Sequence, residues 1–137
     1  GSIYLKPTQF VLGIGCRRDT AFENIDRAIR QSLLKLQIDI SDIDMIVSID
    51  VKKDEPGIKE FCERNRIDFV TYTADELMAV QGEFSASQFV REHVGVDNVC
   101  ERAAVLACSR ECNKAGKLVY KKHKYDRVTV AAAKYPD

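Results

Sequence analysis

The chain has 137 residues, 45% of them hydrophobic, and its 21 Lys and Arg balance 21 Asp and Glu to a net charge of zero. At roughly 100–200 residues per domain this is one domain, large enough to hold a core without a disulfide or a metal. High apolar content with no net charge excludes disorder, the neutral balance argues against a nucleic-acid partner, and no apolar run approaches the roughly 20 residues that cross a bilayer.

Gly1-Ser2 reads as a cloning scar ahead of a single domain over residues 3–137. No signal peptide opens the chain, so a cytoplasmic location and no membrane partner are expected. The five cysteines, at 16, 62, 100, 108 and 112, are odd in number and contain no CxxC, which points to reduced thiols. Cys62, Cys100 and Cys108 fall on predicted helices as small core hydrophobes. His93 and His123 lie in separate elements, so no protein-held metal is expected.

In chain order, Phe10-Val11-Leu12-Gly13-Ile14-Gly15 predicts a buried strand. Thr20-x-x-Glu23 reads as a capping box opening a helix, with Phe22, Ile25, Ile29, Leu33 and Leu36 as one apolar stripe ending near Gln37. Met45-Ile46-Val47-Ser48-Ile49 predicts the second strand, and Pro56 the first turn of a helix that buries Ile58, Phe61 and Cys62. A third strand follows at Asp68-Phe69-Val70-Thr71-Tyr72, and Thr73-x-x-Glu76 boxes the start of a short helix. Ser85-x-x-Gln88 predicts a helix stopping at Gly95, and Asn98-x-x-Glu101 opens an alanine-rich one through Ala103, Ala104, Leu106 and Ala107. Two strands close the chain, Leu118-Val119-Tyr120-Lys121 and Arg127-Val128-Thr129-Val130-Ala131-Ala132, joined by a short basic turn. The expected fold is α/β, a mostly parallel sheet sandwiched by helices with a C-terminal antiparallel hairpin.

Chemistry concentrates at Gly13-Ile14-Gly15-Cys16-Arg17-Arg18-Asp19-Thr20. Glycines at a strand's carboxyl end let a ligand approach the backbone, and guanidinium forks beside a helix start match carboxylates and phosphates. The polar loop from Asp50 to Glu55 ends the second strand and is expected to share the same crevice. Arg18 stands where a dinucleotide fingerprint needs glycine, and no G-K-S/T or G-x-S-x-G occurs. A cysteine-phosphatase pattern fails because Phe22 stands where its arginine belongs. Cys16 has two readings: a thiolate nucleophile favoured by the arginines, or a small residue filling the turn. Lys117, Lys121, Lys122, His123, Lys124 and Arg127 crowd the final hairpin, where lysines chiefly guard a sheet edge.

The blocks Gly13-Ile14-Gly15-Cys16-Arg17-Arg18 and Ser48-Ile49-Asp50-x-Lys52-x-Asp54-Glu55-x-Gly57 resemble the C-terminal domain of the cobalamin-biosynthesis protein CbiG and its stand-alone relative CobE. Ser85-x-Ser87, Gly95-Val96-x-x-Val99-x-Glu101-x-Ala103-Ala104, Lys121 and Val128-Thr129-Val130-Ala131 extend the resemblance in order from Phe10 to Lys134. Two positions depart from it: Asp19, usually glycine, and Tyr120, often proline. The resemblance implies a part in cobalamin biosynthesis, as the C-terminal domain of a hydrolase that opens the ring A δ-lactone of cobalt-precorrin-5A and releases acetaldehyde. On that reading the domain binds the tetrapyrrole-derived corrinoid intermediate. It needs no cofactor, because cobalt travels with the substrate, and it meets other enzymes of the pathway.

Residues implied to touch the substrate are Gly13, Gly15, Cys16, Arg17, Arg18, Thr20, Asp50, Lys52, Glu55, Ser85, Ser87, Glu101, Lys121 and Thr129. Cys16, Glu55 and Glu101 are the candidate catalytic groups. The plainer readings are a capping box with Asn98 for Glu101 and the residue before a helix proline for Glu55. A non-catalytic carrier or assembly module is the alternative function, and a phosphate- or nucleotide-binding domain a weaker one.

Overall fold

In a computed structural model that describes residues 9–80, 82, 84, 98–112 (Cys112 without its side chain) and 116–136, five strands share one sheet. They are β1 (Phe10–Cys16), β2 (Ile43–Ile49), β3 (Asp68–Tyr72), β4 (Lys117–Tyr125) and β5 (Val128–Lys134), in the order β3-β2-β1-β5-β4. The β1–β2 and β2–β3 ladders are parallel, whereas β5 runs antiparallel to both β1 and β4. The parallel portion and the terminal hairpin agree with the sequence.

Period-two alternation along the strands feeds two apolar layers. Leu12, Ile14, Ile46, Val130 and Ala132 pack with Ile25, Ile29, Ile58 and Phe61 of helices α1 (Phe22–Leu36) and α2 (Pro56–Asn65). On the other face Val11, Met45, Val47 and Ala133 meet Leu77 of α3 (Ala74–Met78) and Ala103, Ala104, Ala107 and Cys108 of α4 (Val99–Cys112). Each buried Val, Leu, Ile or Phe contributes about 1.5–3 kcal/mol, so these layers dominate the fold's stability. The alanines let α4 lie close to the sheet, and Gly13 is part of that fit. A Cβ there would stand 1.8 Å from the Cys100 carbonyl oxygen.

Local signals held at most ends. Gln37 and Arg66 take left-handed backbone (φ 59° and 54°) to close α1 and α2, and Pro56 opens α2. Both halves of the Thr73 and Glu76 capping box are formed. Thr20 behaves differently: its hydroxyl donates to the Arg17 carbonyl at 2.6 Å, and α1 starts at Phe22 without a side-chain cap. Closing the loop after β1 wins over capping the helix.

Residues 122–125, read from sequence as a basic turn, are strand. β4 continues to Tyr125, and only Asp126 and Arg127 form the turn, with Arg127 at φ 65°. Tyr120 and Tyr125 hold this stretch on the sheet by packing against the α1 layer. The helix expected from Ser85 to Gly95 lies outside the described residues. Among those described, no helix is long and apolar enough to cross a membrane.

Candidate functional site

β1 and β2 end beside each other, and open α/β sheets take ligands beyond such carboxyl ends. A cleft of about 610 Å³ lies there, within the roughly 300–1,000 Å³ of small-molecule sites. Gly15, Cys16, Arg17, Arg18, Ser48, Ile49, Val51 and Lys52 form the strand-end walls. Asn98, Val99 and Cys100 add the start of α4, and Lys122, Lys124, Tyr125, Arg127, Val128 and Thr129 the hairpin.

The two strand-end loops share this cleft because Glu55 ties them together. One carboxylate oxygen accepts from the Asp19 N–H at 3.1 Å, and the other lies 3.7 Å from the Lys52 ammonium. Asp19 presents that N–H from left-handed backbone at φ 58°, a conformation that glycine adopts without strain. Its backbone, not its carboxylate, makes the contact. The hairpin turn is fastened to the same loop: the Arg17 N–H donates to the Arg127 carbonyl and the Arg127 guanidinium to the Arg18 carbonyl, each at 3.0 Å.

Charge in the cleft is one-sided. Arg17, Arg18, Lys52, Lys122, Lys124 and Arg127 are all cationic, and no carboxylate is among the described residues that line it. Lys52 already faces the Glu55 carboxylate at 3.7 Å, and the five other cations gathered around one hollow favour an anion there. Ile49, Val99 and Val128 add apolar wall, and Val51, 64% exposed, offers an apolar tip at the rim. Ser48 is already engaged, donating to the Ile14 carbonyl at 2.6 Å.

An irregular strand aims the lysines. From Tyr120 to His123 β4 takes three steps while β5 takes two, from Ala132 to Val130, so one residue is extra. Such a bulge bends a strand and redirects its side chains. The Lys122 N–H here donates to a Glu101 carboxylate oxygen at 2.7 Å, and Glu101 itself is fully buried. Lys122 and Lys124 line the cleft, whereas Lys121 is exposed and does not.

The structure therefore gathers Gly15, Cys16, Arg17, Arg18, Lys52 and Thr129 from the residues expected in the site. Gly13 is buried against α4, Thr20 closes its own loop, and Asp50 is not in the lining. Glu55 and Glu101 stand behind the walls as braces, and Ser85 and Ser87 lie outside the described residues. The capping box proposed for Asn98 and Glu101 is not formed, since the Asn98 side chain makes no hydrogen bond among the described residues. A thiolate at Cys16 is disfavoured: burial, followed by the Glu55 carboxylate, pushes its thiol up to about 11 against the pull of Lys52. It also sits in the strand, ahead of the loop, rather than at a helix start. Sequence reasoning missed Asn98, Lys122, Lys124 and Arg127 as cleft residues; the basic composition of the hairpin was the available signal.

Residues 10–133 match the family described as Cobalamin synthesis G C-terminus. The chain is 38% identical over 102 residues to the cobalt-precorrin-5A hydrolase of Salmonella typhimurium, covering 74% of this chain and 29% of that protein. It is 31% identical over 137 residues to the probable cobalt-precorrin-5A hydrolase of Methanocaldococcus jannaschii, covering 96% and 42%. The chain thus spans less than half the length of these curated relatives. Its fold is similar to the crystal structure of CobE, a protein from the cobalamin (vitamin B12) biosynthetic pathway. That match has a TM-score of 0.87 at 24% identity, over 99% of this chain and 98% of that one.

Proposed function

The chain belongs to the Cobalamin synthesis G C-terminus family, and we propose that its cleft binds a corrinoid intermediate of cobalamin biosynthesis by the carboxylate arms. The observation that carries this reading is the group of six cations, of which Lys52 is paired with Glu55, with no lining carboxylate among the described residues. A corrinoid precursor is a broad apolar macrocycle rimmed by carboxylates. Arginine forks and ammonium groups suit the rim, and Val51 with Ile49 and Val99 suits the ring face. Cobalt enters as part of that substrate.

The reaction served is the hydrolysis of cobalt-precorrin-5A, in which water opens the ring A δ-lactone and acetaldehyde leaves. That chemistry needs a general base for water and cations or amides for the oxyanion. On this reading Arg17, Lys52 and Lys122, which share the lining, steady the oxyanion. None of the three candidate bases is suited to that role, because Glu55 and Glu101 are held behind the cleft wall and burial raises the Cys16 thiol. This same observation favours a second reading, a carrier that passes the intermediate to other enzymes of the pathway.

Titration with cobyrinic acid, whose side arms are free carboxylates, tests the binding. A saturable change in its visible absorption, weakened by salt and missing with the fully esterified form, is the expected result. Equal responses to both forms, or none, would refute the reading. Acetaldehyde release from cobalt-precorrin-5A by this chain alone would assign catalysis here and exclude the carrier.

A further inference from the structure

Asn98 begins α4 as a wall residue of the cleft and is 1% exposed. Both its amide oxygen and its amide nitrogen lack a hydrogen-bond partner among the described residues. Buried polar groups are nearly always paired, so an orphaned carboxamide on a residue of the cleft wall calls for an external partner. Its backbone carbonyl accepts from the Arg102 N–H at 3.0 Å, which makes it the helix's N-cap residue, but among the described residues its side chain caps nothing. The first amides of α4, on Val99 and Cys100, belong to the same wall and to the positive end of the helix dipole.

Resting on the corrinoid reading above, we propose that Asn98 and the amino end of α4 form the subsite that receives one carboxylate arm of the ligand. The Asn98 Nδ2–H donates to that carboxylate beside the α4 amides, and Oδ1 accepts from a water carried in with it. Lys122 and Arg127, in the same lining, balance the arm's charge. Neither the glycine loop nor the arginines supply this contact. It makes Asn98 a specificity-determining residue, whose amide has no partner among the described residues of the free protein and gains one in the bound protein.

A structural role and a ligand role predict opposite outcomes for Asn98→Gly. Glycine accepts the left-handed backbone at φ 51°, so the fold is kept while the orphaned amide is removed. The expected result is an unfolding temperature equal to or above wild type, with affinity for cobyrinic acid reduced about tenfold or more. Asn98→Asp keeps the shape, loses the donor and adds a negative charge, and should bind more weakly still. Wild-type affinity in both variants, within about twofold, overturns the subsite and leaves the corrinoid reading standing. A wild-type chain that gives no response to cobyrinic acid overturns both.

Discussion

The Glu101 carboxylate grips the backbone of Lys122, accepting its N–H at 2.7 Å across the gap between α4 and the edge strand β4. This contact sits at the bulge that brings Lys122 into the cleft, so a buried acid shapes a basic site without entering it.

Glu101→Ala leaves the Lys122 N–H unpaired and opens a void beside α4. It should lower stability by about 2–4 kcal/mol in urea unfolding. Glu101→Gln keeps an acceptor oxygen and should lose less. Equal losses in the two variants would show that the bond to Lys122 carries little of the effect.

The bulge separates two adjacent lysines in function. Lys122→Ala should weaken cobyrinic acid binding by about 1.5–3 kcal/mol, the value of a charge-assisted hydrogen bond, while Lys121→Ala should stay near zero. Absorption titrations of the two variants at one ionic strength read the difference directly. A larger loss at Lys121 would mean that the strand register is wrong by one residue.

Gly13 and Gly15 differ in what a methyl group would strike. At Gly13 it meets the Cys100 carbonyl at 1.8 Å, backbone that moves only if α4 moves. At Gly15 it meets the Thr129 hydroxyl at 2.8 Å, a side-chain atom. Gly13→Ala should cost about 3 kcal/mol or more, or prevent folding, and Gly15→Ala about 1 kcal/mol. Chemical denaturation of both variants gives the comparison.

Much of this architecture was legible in the sequence because the signals were local. Strand runs ending in Gly15 and Ile49, Pro56 at a helix start and the Thr73 box each act within a few residues. Cys16, Arg17 and Lys52 come to line one cleft because they end strands or follow them. The rest depended on partners distant in sequence. Thr20 has the spacing of a cap but closes onto Arg17, and Glu101 has the spacing of a box but reaches β4. Lys122, not Lys121, lines the cleft because of a bulge, and a bulge has no periodicity of its own.

Buried thiols make the protein lose stability in alkali. Burial is the first cause in each case: it raises Cys16 from 9.0 to about 11, and Cys62 and Cys100 from 9.0 to about 12. Between pH 9 and these values the unfolded chain releases protons that the folded chain keeps, so unfolding stability falls as pH rises. Below pH 9 both states hold the protons, and these groups add no slope. Unfolding temperatures measured from pH 8 to 11 should decline above 9, and Cys16→Ser should decline less steeply. An unchanged slope in that variant would mean that Cys16 titrates normally. Alkylation of Cys16 by iodoacetamide should likewise be slow at pH 7.5 and accelerate toward pH 11.

Mapping backbone amide shifts by NMR during titration with cobyrinic acid tests the location of the site most directly. The largest changes should fall on Arg17, Lys52, Val99, Lys122 and Arg127, around the carboxyl ends of β1 and β2. Shifts confined to the outer surface of α1 and α2, or to the β3 edge, would contradict the account.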